Sequence, residues 1–348
     1  MTGGSSRSPA SSREGKDVHN LAIRLGSVPH PNGSTEVHVP RTMVHKTADD
    51  EVLLRSAARI TADRFAVRLR WPEEHLLHHR RGDGARDSLI VAETMRQAGI
   101  YLSHRYHDVP ADYAFVLHRF DFRLTEPVRD SGAGDDAVLD IQVVREPGNT
   151  RRFRMESAAW LVIGGRRVGR ATMKWDAFAP RQYAVIRSRG GSPEYDPSAV
   201  PAPAALRALP AALVGRDRAD AVLLAEAPTE PGRWWLRMDT GHPALFDHAS
   251  DHTPGMVIVE AFRQAVLALT AERSADADAP YRTIRHLDVS FHAFGQLGLA
   301  VEIVAEPVGD DAFQLVARQG TRLLASARVA GCAGGTGPAP VLAGAAAC

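Results

Sequence analysis

Cysteine is almost absent from this sequence. Only Cys332 and Cys348 occur in 348 residues, both near or in a Gly/Ala/Pro-rich tail. That excludes a disulfide framework and a CxxC metal site. Lysine is nearly as scarce: Lys16, Lys46 and Lys174 stand within a total of 42 basic residues. The arginine bias reads as GC-rich coding and carries no functional weight. Nor does one sign of charge dominate. With 41 acidic residues the net charge is +1, so no global field favours nucleic acid or an anionic membrane. No helix-turn-helix pattern or basic face points to DNA. No apolar run is long enough to span a bilayer, and the opening MTGGSSRSPASSREGKD lacks the apolar core of a signal peptide. A soluble cytoplasmic chain is expected.

What is present is 44% hydrophobic content, enough for one large or two medium cores. Composition divides the chain. Residues 1–38 read as a disordered Ser/Gly/Arg tail and 333–348 as a flexible tail. A Pro/Ala-rich linker over 188–218 separates a first domain, 39–187, from a second, 219–332.

The two domains repeat one another. SLIVAETMRQA (88–98) aligns with GMVIVEAFRQA (255–265) at an offset of 167 positions. Glu93 then falls on Glu260, Arg96 on Arg263 and Gln97 on Gln264. Outside the helix, His75 falls on His242 and Asp121 on Asp288. The period is that of a duplicated domain, far longer than a solenoid repeat. Each half has a strand of period-two alternation, FAVRLRW or RWWLRMD, then a helix, then strands AFVLHRFDF and AVLDIQVV, or IRHLDVSFHAF and LAVEIVAEPV. Gly164-Gly165 and Gly320 mark hairpin turns near the end of each half. One helix against an antiparallel sheet, built twice, is an α+β architecture.

The second helix starts at Pro254, a residue pre-organised for that position. Asp251, His252 and Thr253 precede it and can satisfy its free N–H groups. Its apolar residues cover almost every face, which predicts a buried helix wrapped by the sheet. Glu260 is then enclosed, and Arg263 is placed by i,i+3 spacing to pair with it. Glu93 and Arg96 repeat the device. As a lone motif this reads as a structural ion pair. Two features favour a working site. Pro-Gly lets a ligand approach the helix amides, and Asp247, His248, Asp251 and His252 crowd the same end. That cluster shows no third strong ligand pattern, so no metal is expected. His75 and His242 read as structural, Gln97 and Gln264 as partners of sheet backbone. His78, His79, Arg80 and Arg81 read as a solvated basic loop able to dock an acidic carrier protein.

HPALFDHASDHTPGMVIVEAFRQA resembles the signature of the AfsA family, the A-factor type γ-butyrolactone biosynthesis proteins. MVHKTADDEVLL, FAVRLRWPEEH, LIVAETMRQAG and RQYAVIRSRG match it in kind and order, so the resemblance spans about residues 40 to 332. It implies a tandem hotdog fold, each half a long helix wrapped by an antiparallel sheet. One departure stands out. Where the family introduces the first helix with His-Asp-Pro-Leu-Leu, this chain has Arg86-Asp87-Ser88-Leu89-Ile90.

The resemblance also implies an activity. A β-ketoacyl group passes from acyl carrier protein to the hydroxyl of dihydroxyacetone phosphate, in making a γ-butyrolactone-type signalling molecule. On that reading the amides of Gly255 and Met256 polarise the thioester carbonyl. Glu260 takes the hydroxyl proton, its pKa raised by enclosure. Arg263 orients Glu260 or holds phosphate, and Glu93 with Arg96 forms the partner constellation. Asp251 and His252 are expected at the substrate. No cofactor is needed, because the thioester is already activated. A homodimer is compatible with the sequence. A hotdog thioesterase would release free acid without the acceptor. A dehydratase would need a histidine upstream, where Phe246 stands fourteen residues before Glu260. A non-catalytic acyl- or lactone-binding regulator would bind without turnover.

Overall fold

The computed structural model describes residues 37–73, 75, 78, 84–129, 137–190, 206–227, 231–242, 244–246, 250–273 and 283–331. The first half contains β1 (Val37–His38), β2 (Leu54–Arg59), β3 (Arg64–Leu69), α1 (Leu89–Tyr106), β4 (Ala114–Leu124), β5 (Ala137–Arg145), β6 (Arg152–Ile163) and β7 (Arg166–Phe178). A short helix, α2 (Pro180–Arg189), follows. The second half contains β8 (Leu224–Glu226), β9 (Arg233–Leu236), α3 (Gly255–Arg273), β10 (His286–Phe291), β11 (Glu302–Pro307), β12 (Ala312–Gln319) and β13 (Arg322–Ala330). The strands form one antiparallel sheet in the order β1-β2-β3-β5-β6-β7-β4-β10-β13-β12-β11-β9-β8. Each half is thus the helix-in-sheet unit of a hotdog domain, and the two are joined edge to edge by β4 and β10.

The seam explains one sequence feature. Along β4 and β10, Asp121 stands opposite Asp288, with Phe120 opposite Val289 and Phe122 opposite Leu287. Repeat partners therefore face each other across a local two-fold axis. Two carboxylates directly opposite would repel. Each has a partner on the other strand: Arg119 pairs with Asp288 at 2.6 Å, and His286 contacts Asp121 at 3.0 Å. Arg119 and His286 are themselves 167 positions apart, so these pairs obey the same symmetry.

Both long helices are enclosed, as their apolar residues require. Every residue of α3 from Val257 to Thr270 is buried. So is α1 from Leu89 to Ser103 apart from Arg96, which is partly exposed. The hairpin between β6 and β7 turns on Gly164 and Gly165, with φ of 55° and 74°. A two-residue turn with both φ positive matches the strand twist, and glycine adopts it without strain.

One expectation needs correction. Residues 206–218, read as linker, belong to the second half. Ala208 bridges Ala225, a 3-10 turn spans Ala211–Val214, and Val214 and Arg216 are buried. This stretch duplicates the turn Arg41–Val44 and Lys46 of the first half. Its Pro and Ala content disguised a structured copy. Among the described residues, no helix is long and apolar enough to cross a membrane.

Candidate active site

The two buried glutamates sit at the centre of matched clusters. Glu260 is 3% exposed. Arg263 donates to both of its oxygens at 2.8 Å, Arg216 donates from Nε at 3.1 Å and approaches with Nη2 at 2.6 Å, and Gln264 donates at 2.7 Å. Glu93 repeats this. Arg96 donates to both oxygens at 2.8 Å, Gln97 donates at 2.9 Å, and the Lys46 ammonium lies 3.2 Å away. The glutamines do satisfy backbone, as expected. Gln97 bonds Leu53 N–H and Glu51 C=O, and Gln264 bonds Leu223 N–H and Ala221 C=O. Each glutamine thereby locks the segment entering the sheet to the helix and its carboxylate.

Lys46 and Arg216 were not among the expected site residues. A signal existed. MVHKTADDEVLL aligns with LVGRDRADAVLL at an offset of 170, which places Lys46 on Arg216. The three-residue difference from the helix offset of 167 hides the match. Asp87, from the first half, crosses to the second-half cluster, 3.7 Å from Arg216 and 3.4 Å from Arg263.

Electrostatics overturn one expectation. Burial does act to raise the Glu260 pKa, but the charges of Arg216 and Arg263 outweigh it and hold the group at about 2. Glu93 is likewise pushed well below the ordinary carboxylate range, because Arg96 and Lys46 outweigh its burial. Neither glutamate has the raised pKa expected of a general base. Arg263 points its guanidinium at Glu260 and Val214 C=O, a geometry that fits the expected role of orienting the glutamate.

A cavity of about 680 Å³ lies between the halves, and both glutamates line it. First-half walls include Lys46, Glu51, His75, His78 and Arg96; second-half walls include His252, Thr253, Pro254, Gly255 and Met256. The lining carries six Lys/Arg residues against four carboxylates, beside a long apolar wall that includes Phe115, Ile258 and Phe291. Such a space suits an anionic molecule with an apolar arm. Near the mouth, buried Asp176 holds His118 at 2.7 Å and Arg152 at 2.5 Å.

The N-terminus of α3 opens onto this cavity. Gly255 fits a close approach there: a Cβ would fall 3.0 Å from the Phe291 ring. The expected caps do not form as drawn. The Asp251 carboxylate takes hydrogen bonds from Tyr183 (3.1 Å) and Arg187 (2.9 Å) of α2, and contacts His252 Nδ1 at 2.6 Å. Asp251 therefore positions His252, whose ring lines the cavity against Phe294, and is not itself a lining residue. Burial and the Asp251 charge push Tyr183 up to about 12. Thr253 is 3% exposed, and its hydroxyl has no hydrogen-bond partner among the described residues.

The N-terminus of α1 is closed by contrast. Asp87 accepts the Leu89 N–H at 2.9 Å. Arg86, where the family pattern has histidine, is buried and donates to the carbonyls of Pro72 and Trp71. His242 is structural as expected, accepting the N–H groups of Ala244 and Leu245 on Nδ1. His78 is a second correction: expected in a solvated loop, it is 5% exposed and lines the cavity. Asp247, His248, His79, Arg80 and Arg81 lie outside the described residues.

A family model described as the A-factor biosynthesis hotdog domain, AfsA, matches residues 29–179 and 198–334. A 2-oxo-3-(phosphooxy)propyl 3-oxoalkanoate synthase of Streptomyces griseus subsp. griseus is 31% identical over 297 residues, covering 83% of this chain and 90% of the relative. A synthase of the same name from Streptomyces virginiae is 34% identical over 242 residues, covering 68% and 78%. Among solved structures, a hot dog fold protein from Alicyclobacillus acidocaldarius is 14% identical with a TM-score of 0.46, covering 81% of this chain and 95% of that one. Matched across both halves, this chain belongs to the AfsA family of A-factor biosynthesis hotdog proteins.

Proposed function

We propose that this protein transfers a β-ketoacyl group from the thioester of an acyl carrier protein to a hydroxyl of dihydroxyacetone phosphate. The product is the phosphorylated ketoester for which the synthase relatives are named, and it feeds synthesis of a butyrolactone-type signal. The observation that carries the reading is the cavity shared by the two halves, with its apolar wall, its surplus of cations and the open N-terminus of α3. The apolar wall takes the acyl chain. The cations, Arg96 among them, take the phosphate.

On this reading the amides of Gly255 and Met256 and the hydroxyl of Thr253, all lining the cavity, are the donors for the thioester carbonyl. Donors fixed before reaction stabilise the oxyanion without reorganising. Glu260 and Glu93, held ionised by their cations, accept hydrogen bonds from the acceptor's hydroxyl groups and orient them. Near the mouth, α2 exposes Arg181 and Arg189, which suit an acidic carrier protein.

Mass spectrometry of purified protein with a β-ketoacyl thioester, with and without dihydroxyacetone phosphate, tests this. A phosphorylated ketoester formed only with the acceptor is expected. Free ketoacid formed without acceptor would mean a thioesterase instead, and binding without turnover a regulator.

A further inference from the structure

The turns that follow β3 and β9 are built alike. In the first, His75 Nδ1 accepts the N–H of His78 at 3.3 Å. In the second, His242 Nδ1 accepts the N–H of Leu245 at 3.2 Å. Both pairs are related by the offset of 167, so His78 and Leu245 are repeat partners. Both line the cavity. The duplicated turn thus offers an imidazole on one side and an apolar side chain on the other.

His75 places Nε2 3.3 Å from Glu51 Oε2. The His78 ring tilts against it, centroids 4.7 Å apart. Nδ1 of His78 is buried and has no hydrogen-bond partner among the described residues. Leaving such an atom unsatisfied is costly, a cost that substrate contact would relieve. Charged and titratable groups reach it from each neighbouring element: His75 on its own turn, Glu93 on α1, Glu260 on α3, and Arg216 before β8. Burial, the largest cause, holds His78 neutral by pushing its pKa well below the ordinary histidine value.

We propose that His78 is the catalytic base that takes the proton of the attacking hydroxyl. This rests on the acyl-transfer reading. The hydroxyl oxygen bonds to the thioester carbonyl carbon as its proton passes to the imidazole. The carbon–sulfur bond then breaks, and the leaving thiolate takes the proton back. The imidazolium formed between these events is attracted by Glu93 and Glu260. That assigns the duplicated glutamates a role that saturated ion pairs permit: fixed negative charge facing a transient cation. Leu245 supplies no base on the other side, so each chain has one catalytic centre.

The test compares acceptor-dependent ketoester formation by wild type, His78→Gln and His78→Ala, with thermal melts to verify folding. A fall in kcat of about 100-fold or more is expected, with KM for the thioester little changed and partial rescue of His78→Ala by added imidazole. Wild-type kcat should fall with acid through a pKa below that of ordinary histidine. That limb should vanish in His78→Gln. If the variants do not fold, the wild-type profile decides. Undiminished kcat in a folded His78→Gln, or a wild-type rate with no acid limb, would overturn the assignment and leave acyl transfer standing. Absence of any ketoester from wild type would overturn the parent reading as well.

Discussion

The two helix N-termini in this molecule differ more than the helices behind them. Each helix carries the same glutamate, arginine and glutamine at the same spacing. Yet α1 begins with Asp87, which caps Leu89 and reaches across to Arg216 and Arg263. The α3 helix begins with Pro254 and Gly255, and the unpartnered Thr253 hydroxyl stands beside them. One end has become a clamp between halves, and the other faces the cavity. Duplication supplies two copies of a stable device, and on the proposed reading divergence at the ends leaves the α3 end to take up chemistry. The turns carrying His78 and Leu245 diverge in the same manner.

The largest effect expected of breaking this comparison is on stability. Arg216 meets Glu260 through two nitrogens and also faces Asp87, whereas Lys46 offers Glu93 a single point charge. Arg216→Ala should lower the unfolding free energy by about 3–5 kcal/mol, the cost of stranding a buried charge. Lys46→Ala should cost less in the same urea titration, and equal costs would mean that the clusters are equivalent. Acid should expose the same cluster. The folded pKa of Glu260, about 2, is depressed below its unfolded value of about 4.3. Its contribution is therefore complete above about pH 4.3 and is lost as pH falls toward 2. Glu260→Gln should flatten the acid slope of stability in that window. A smaller effect is expected at the clamp. Asp87→Ala should cost about 1–2 kcal/mol through the lost cap and charge contacts. Asp87→Asn should recover the cap alone, so identical melts for the two would assign the whole effect to charge.

Much of this was legible before the structure. The duplication, the enclosed helices and the hairpins follow from hydrophobic period and from polar residues recurring in an apolar helix. Asp121 and Asp288 were in register, but only the seam between β4 and β10 gives them a reason. What escaped did so for physical causes. Lys46 and Arg216 sit on a segment whose offset differs from that of the helix. The sequence HHRR looks like surface, and nothing local says that its first histidine turns inward. Enclosure alone predicted a raised glutamate pKa. The sign reversed because two cations converge on each carboxylate, a tertiary fact that spacing along one helix cannot show.

The claim that the open end of α3 does the chemistry is tested most directly by kcat of Thr253→Val. The change keeps shape and removes a hydroxyl that has no partner among the described residues, so the melting temperature should hold or rise. Acceptor-dependent kcat should fall at least about tenfold, in the direction of losing an oxyanion donor. A folded Thr253→Val with wild-type kcat would contradict the account.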